Sequence, residues 1–130
     1  MNGSVEVAAP AAALEVVRRY IDALNRRDVD GVRAEFHFPH VLLGRGEVNL
    51  YATPADYDFG DFDRHTAGDG WVRSSWDAHR AVHAGPDKVH LDVAFTRWRA
   101  DGSAIGTHRS LYVLVRIDGR WGLQARSSFG

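Results

Sequence analysis

Along residues 11 to 27 the apolar positions recur every three to four residues. Leu14, Val17, Ile21 and Leu24 share one face with Tyr20 beside them, while Arg18, Arg19, Asp22 and Arg26 take the other. That period predicts an amphipathic helix, with Arg26 and Arg27 at its C-terminal end, where cations complement the helix dipole. Asp28 has the short acceptor side chain of an N-cap and opens a second, shorter helix that buries Val29, Val32 and Phe36. Pro39 is expected to end that helix, because it pushes Phe38 out of helical dihedrals. "HVLL" and "EVNLYA" then read as short strands joined through Gly44-Arg45-Gly46. Thr53-Pro54 marks a helix start, leading into an acidic and aromatic segment, "PADYDFGDFDRH", expected to form a short helix or lid.

From Trp71 onward the period is two. Gly85-Pro86-Asp87, Asp101-Gly102 and Asp118-Gly119 are turn signals, and they leave strands near 71–84, 88–100, 104–117 and 120–129. Val89, Leu91, Val93 and Phe95 share a face of the second strand. Ile105, Leu111, Val113, Val115 and Ile117 do so in the third, and Trp121, Leu123, Ala125 and Phe129 in the fourth. One apolar face per strand predicts an antiparallel sheet packed against the upstream helices, an α+β arrangement. On this phase His90, Asp92, Trp98, His108, Ser110, Tyr112, Gln124 and Arg126 point outward, a mixture that suits a protein interface.

The bulk numbers narrow the function classes. A chain of 130 residues is expected to be one domain with its own core. Residues 1 to 10 read as a disordered lead-in and residues 11 to 130 as the domain. The formal charge of −1 argues against nucleic-acid binding. With no cysteine, disulfides and thiolate chemistry are excluded. The N-terminus has no basic leader and carries Glu6 in its apolar run, so it is a poor signal peptide. No apolar run is long enough for a membrane span, and a cytoplasmic location is expected.

The helix pair "VVRRYIDALNRRDVDGVRAEF" and the closing "RIDGRWGLQARSSFG" resemble the ketosteroid isomerases and the wider nuclear-transport-factor-2-like (NTF2-like, including SnoaL-like) superfamily over residues 11 to 130. The resemblance implies a cone: a curved antiparallel sheet wrapped around three helices and one deep pocket, often dimeric through the outer sheet face. Position by position, the tyrosine that donates to the developing oxyanion in the isomerases matches Tyr20. The general-base aspartate falls near Gly44, and the second oxyanion donor falls at Val113. Those two positions carry no carboxylate, which argues against ketosteroid isomerisation itself.

The stretch "EFHFPHV" places His37 and His40 three apart with Pro39 between them. A broken helix, or opposite faces of a strand, makes a shared metal a poor reading. His37 is expected near the end of the second helix. His40, on the strand face that carries the isomerase base, reads either as a proton carrier facing the pocket or as a hydrogen-bonded histidine at a strand start. Thr107, Arg109 and Ser127 are polar groups on the face assigned inward. Tyr20 and His40 are therefore the candidate catalytic residues. Phe36, Leu42, Phe59, Phe95, Arg109, Val113, Ser127 and Phe129 are expected to line the pocket. No metal or organic cofactor is implied. The expected partners are a small, largely apolar organic ligand and a second copy of the chain, with either proton-transfer chemistry or inert binding as the activity.

Overall fold

The computed structural model describes residues 8–129. The first seven positions of the expected lead-in lie outside the described residues. Among the described residues there are three helices, α1 (Ala11–Asn25), α2 (Val29–Glu35) and α3 (Gly60–Thr66), with a 3-10 turn at Pro54–Asp56. Six strands follow the same order along the chain: β1 (Phe36–Gly44), β2 (Glu47–Tyr51), β3 (Trp71–Ala84), β4 (Lys88–Arg99), β5 (Ala104–Ile117) and β6 (Arg120–Ser128). They form one sheet in the order β2-β1-β6-β5-β4-β3. Every pair is antiparallel except β1 with β6, which is parallel. The α+β class is as expected, but the sheet is mixed and stays open, with β2 and β3 as its edges. Local alternation carries no information about which distant strands meet, so the parallel pair was not legible in it.

α1 buries Ala13, Val16, Val17, Tyr20, Ile21, Ala23 and Leu24, and Leu14 lies at the margin of that stripe. Val16 and Val17 are wholly buried, each worth about 1.5–3 kcal/mol relative to exposure. On the solvent side Arg18 Nε donates to Glu15 (3.0 Å) and its Nη1 to Asp22 (3.3 Å). Asn25, the last residue of α1, clamps the helix to β3: its amide donates to the Ser74 carbonyl (2.9 Å), and its carbonyl oxygen accepts from the Ser74 N–H (2.8 Å). Asp28 caps α2 by accepting from the Gly31 N–H at 2.9 Å. The helix ends at Glu35, four residues before Pro39, and Phe36 to Gly44 are already extended.

The phase of the long strands differs from expectation in two places. In β4 the inward residues are Val89, Leu91, Val93 and Phe95, as expected. Their direct partners on β5 are Leu114, Tyr112, Ser110 and His108, so these share the inward face. Leu111, Val113 and Val115 pair with Asp92, His90 and Lys88 and face outward. The reason is that β5 is apolar on both sides, so alternation alone does not choose a face. In β6, Leu123 pairs with Leu114, yet Ala125, two residues on, pairs with Val113. Gln124 is thus the extra residue of a β-bulge. Beyond it the phase reverses, so that Arg126 and Ser128 face inward beside Tyr112 and Ser110. Bulges recur next to functional sites because they re-aim side chains in this way.

Among the described residues no helix is long and apolar enough to cross a membrane.

Candidate functional site

Between α1 and the concave face of the sheet lies a cavity of about 90 Å³. α1 supplies Tyr20, Ile21 and Leu24, and β1 supplies Leu42 and Gly44. The segment from Tyr51 through α3 closes one side with Tyr57, Asp58, Asp61, Phe62 and His65. The sheet contributes Ser74, Trp76, Phe95, Arg97, Ser110, Tyr112, Arg126 and Ser128. All four tyrosines of the chain line this one space.

Arg126 sits among them. Its Nη1 donates to the Tyr20 hydroxyl oxygen at 2.9 Å and its Nε donates to His40 Nε2 at 3.0 Å. The guanidinium carbon lies 5.1 Å from the Phe36 ring centre and 5.6 Å from that of Tyr20, within cation–π range. Burial works against its charge. The surrounding tyrosine oxygens, Tyr20 foremost, outweigh that and hold its pKa above the ordinary arginine value. At neutral pH the hydroxyls of Tyr51, Tyr57 and Tyr112 act as oriented dipoles rather than as anions. Burial raises the phenol pKa of Tyr57 and Tyr112, and for both the neighbouring Tyr20 adds to the effect. Tyr51 donates to Asp61 across 2.5 Å, and Asp61 also pairs with Arg64.

His40 is buried beneath this cluster and does not front the cavity. Its ring stacks on Phe36 at 3.9 Å with 6° between planes. Nδ1 lies 2.9 Å from the Leu123 carbonyl. A carbonyl only accepts, so Nδ1 carries the hydrogen and Nε2 offers its lone pair to Arg126. Burial first, and then Arg126, push its pKa down to about 2. Both nitrogens are engaged, and no lone pair is left for a substrate proton. His37 is held in a parallel way: Nε2 donates to the Arg120 carbonyl and Nδ1 accepts from Arg120 Nη2, each at 2.9 Å. It lies inside β1, two residues past the helix end where it was expected. The two histidines join β1 to β6, each through a carbonyl and an arginine of β6.

Tyr20, the other candidate catalytic residue, lines the cavity, and of the expected pocket residues Leu42 and Phe95 do so. Phe36 lies behind its wall, stacked on His40. Phe59 is buried against Tyr57 and beneath the Arg27 guanidinium, 4.6 Å from its ring centre. Arg109, Val113, Ser127 and Phe129 are elsewhere. The β5 register turns Val113 and Arg109 away, and Arg109 pairs with Asp92 at 2.7 Å. The bulge at Gln124 turns Ser127 outward, and Phe129 is 85% exposed past the end of β6. Thr107 bonds Thr96 at 2.9 Å on the outer side. The sequence reading missed Arg97, Arg126, Asp61, His65 and three of the tyrosines. Arg97 was within reach of it, lying two residues past Phe95 on the inward phase of β4.

Residues 11–126 match a family described as NTF2-like protein (DUF6841). The chain belongs to this NTF2-like family. Solved structures agree on the fold of this NTF2-like protein. A protein of unknown function with a cystatin-like fold from Nostoc punctiforme superposes with a TM-score of 0.74 at 15% identity, covering 95% of this chain and 94% of the other. A ketosteroid isomerase-like protein from Erwinia carotovora atroseptica gives 0.64 at 17%, covering 92% and 93%. An NTF-2 like protein of unknown function from Shewanella oneidensis gives 0.70 at 12%, covering 90% and 95%. At such identities the likeness carries the fold alone. No curated protein matches the sequence. Among the described residues no group of three or more His, Cys, Asp or Glu side chains is placed to hold a metal.

Proposed function

We propose that this NTF2-like protein binds a small, largely apolar organic molecule in the cavity and moves a proton on it without a cofactor, as isomerases, cyclases and dehydratases do. The observation that carries this reading is the convergence of four tyrosines on one space around Arg126. The Tyr20 oxygen already accepts from Arg126, which leaves its own hydrogen for a ligand oxygen. A phenol in a dry, preorganised site stabilises developing negative charge far better than it does in water. The cavity is well below the roughly 300–1,000 Å³ of drug-sized sites, so the ligand is small and not steroid-sized.

The proton carrier in this reading is His65, not His40. His65 lines the cavity, its ring makes no hydrogen bond among the described residues, and burial lowers its pKa, so it is a neutral base. It takes a proton from the carbon beside a ligand carbonyl. The electron pair moves to the oxygen under Tyr20, and the proton returns to the same or another carbon. The test is hydrogen–deuterium exchange of small cyclic ketones in D₂O, followed by NMR. Exchange faster than buffer, lowered about 10²–10⁴-fold by His65→Gln, is the expected result. Binding without enhanced exchange selects the inert carrier instead. No thermal shift with any small cyclic ketone or single-ring aromatic at millimolar concentration overturns the ligand-site reading as a whole.

We further propose a homodimer through the outer sheet face. The observed β5 phase places Leu111, Val113 and Val115 there, with Ile117 45% exposed. A contiguous apolar strip of this kind marks an interaction surface.

A further inference from the structure

Nine arginines of the described residues pair with a carboxylate. Arg97 and Arg126 do not, and both line the cavity. Arg97 Nε is fully buried and has no hydrogen-bond partner, and its other nitrogens make none among the described residues either. Its neighbours are rings: its guanidinium carbon lies 5.6 Å from the centre of Phe62 and 5.5 Å from that of Phe95. Arg126 uses Nε and Nη1 on His40 and Tyr20, and its Nη2 makes no hydrogen bond among the described residues. A guanidinium keeps its charge even when buried, and a buried charge without a counter-charge is costly. The acids of the same cavity do not relieve it. Asp61 is taken by Tyr51 and Arg64, and Asp58 accepts from the Gly60 N–H at 2.8 Å. Burial lowers the Arg97 pKa, which an incoming anion reverses.

We propose that the ligand of this cavity is a small organic carboxylate, its apolar body against Leu24, Trp76 and Phe95 and its carboxylate received by the free donors of Arg97 and Arg126. This deepens the reading above and rests on the cavity being the ligand site. A carboxylate is favoured over bulkier anions because it is flat, matches the guanidinium fork and fits a space of about 90 Å³.

The test compares acid–amide pairs of nearly equal shape, benzoate with benzamide and isobutyrate with isobutyramide, by calorimetric titration and amide chemical-shift mapping. At least one acid is expected to bind more tightly than its amide by at least about tenfold, the scale of one charge-assisted hydrogen bond. Arg97→Met should remove that preference while leaving amide binding in place. Arg73→Met, which deletes a charge stacked over Trp98 away from the cavity, should not. Arg97→Lys covers the case of a variant that does not fold: it keeps the charge without the fork, and an intermediate preference is expected. Amide binding as tight as acid binding overturns the carboxylate inference and leaves the ligand site standing. A preference unchanged in the Arg97 variants also overturns it. No binding of any of the four overturns both.

Discussion

Arg126 donates its Nε–H to His40 Nε2 across 3.0 Å, so the side chain expected to carry protons is instead a fixed acceptor that aims a buried cation. Replacing His40 by Phe keeps the stack on Phe36 but leaves the guanidinium and the Leu123 carbonyl each short of a partner. We expect a loss of about 3 kcal/mol of stability, measured by urea denaturation, with most of it recovered in His40→Gln, which retains a donor and an acceptor. Equal stability of the Phe variant and the wild type would remove this positioning role.

The same histidine makes a pH prediction with a definite sign. Its folded pKa, about 2, lies below the ordinary value of 6.5. Above pH 6.5 neither folded nor unfolded chain binds this proton, and the full stability is present. As the pH falls from 6.5 towards 2 the unfolded chain takes up the proton first, and stability is lost. The slope from this residue approaches about 1.4 kcal/mol per pH unit. The chain has seven histidines, so the decisive quantity is the stability of wild type minus that of His40→Gln across pH 7 to 4, which should fall steadily with acid and change sign. Parallel curves contradict it.

Tyr20→Phe deletes the acceptor of Arg126 Nη1 and the hydrogen meant for the ligand. A stability loss of about 1–3 kcal/mol is expected, together with weaker binding of any ligand that carries an oxygen. Wild-type affinity in this variant would count against Tyr20 as the donor.

Gly122 lies under the His37 ring. A Cβ there meets His37 Cδ2 at 2.6 Å and Cγ at 2.9 Å. The ring is pinned from both nitrogens by Arg120, so it has little freedom to retreat. Gly122→Ala should cost about 1–3 kcal/mol through overpacking, seen as a lowered midpoint of thermal unfolding. Pairing it with His37→Ala should recover part of that loss.

For assembly, sedimentation at micromolar concentration is expected to give about twice the 14.4 kDa chain mass. Val113→Asp, on the outer strip, should halve that mass without changing ligand binding. Tyr112, assigned outward on the sequence phase, is buried inside the protomer, and its substitution should affect the cavity rather than the association.

The elements were legible where chemistry is local. Asp28 capped its helix as expected. Arg45-Gly46 and Asp118-Gly119 took the left-handed dihedrals that tight hairpins need, with φ of 53° and 73° and of 52° and 76°. The site was much less legible, because it depends on phase between distant strands. Leu111, Val113 and Val115 alternate with Tyr112 and Leu114, and nothing in β5 itself says which set is buried. The pairing with Val89, Leu91 and Val93 decides it. His37 was read as a helix-end residue and His40 as a proton carrier or a hydrogen-bonded histidine at a strand start; the bonds that hold both depend on β6, 83 residues away for each carbonyl contact.

Gln124 has a wider consequence. The polarity of the interior depends on whether this one residue is paired or passed over. If Gln124 took the place of Ala125 opposite Val113, the exposed and enclosed sets downstream would exchange: Ser127 for Ser128, and Ala125 for Arg126. A cavity built around a cation would become a neutral one with no side chain substituted in its walls. Deleting Gln124 would instead keep Arg126 and Ser128 inside, because Ala125 already pairs with Val113; one backbone step, paired or bulged, decides the polarity of what the fold holds.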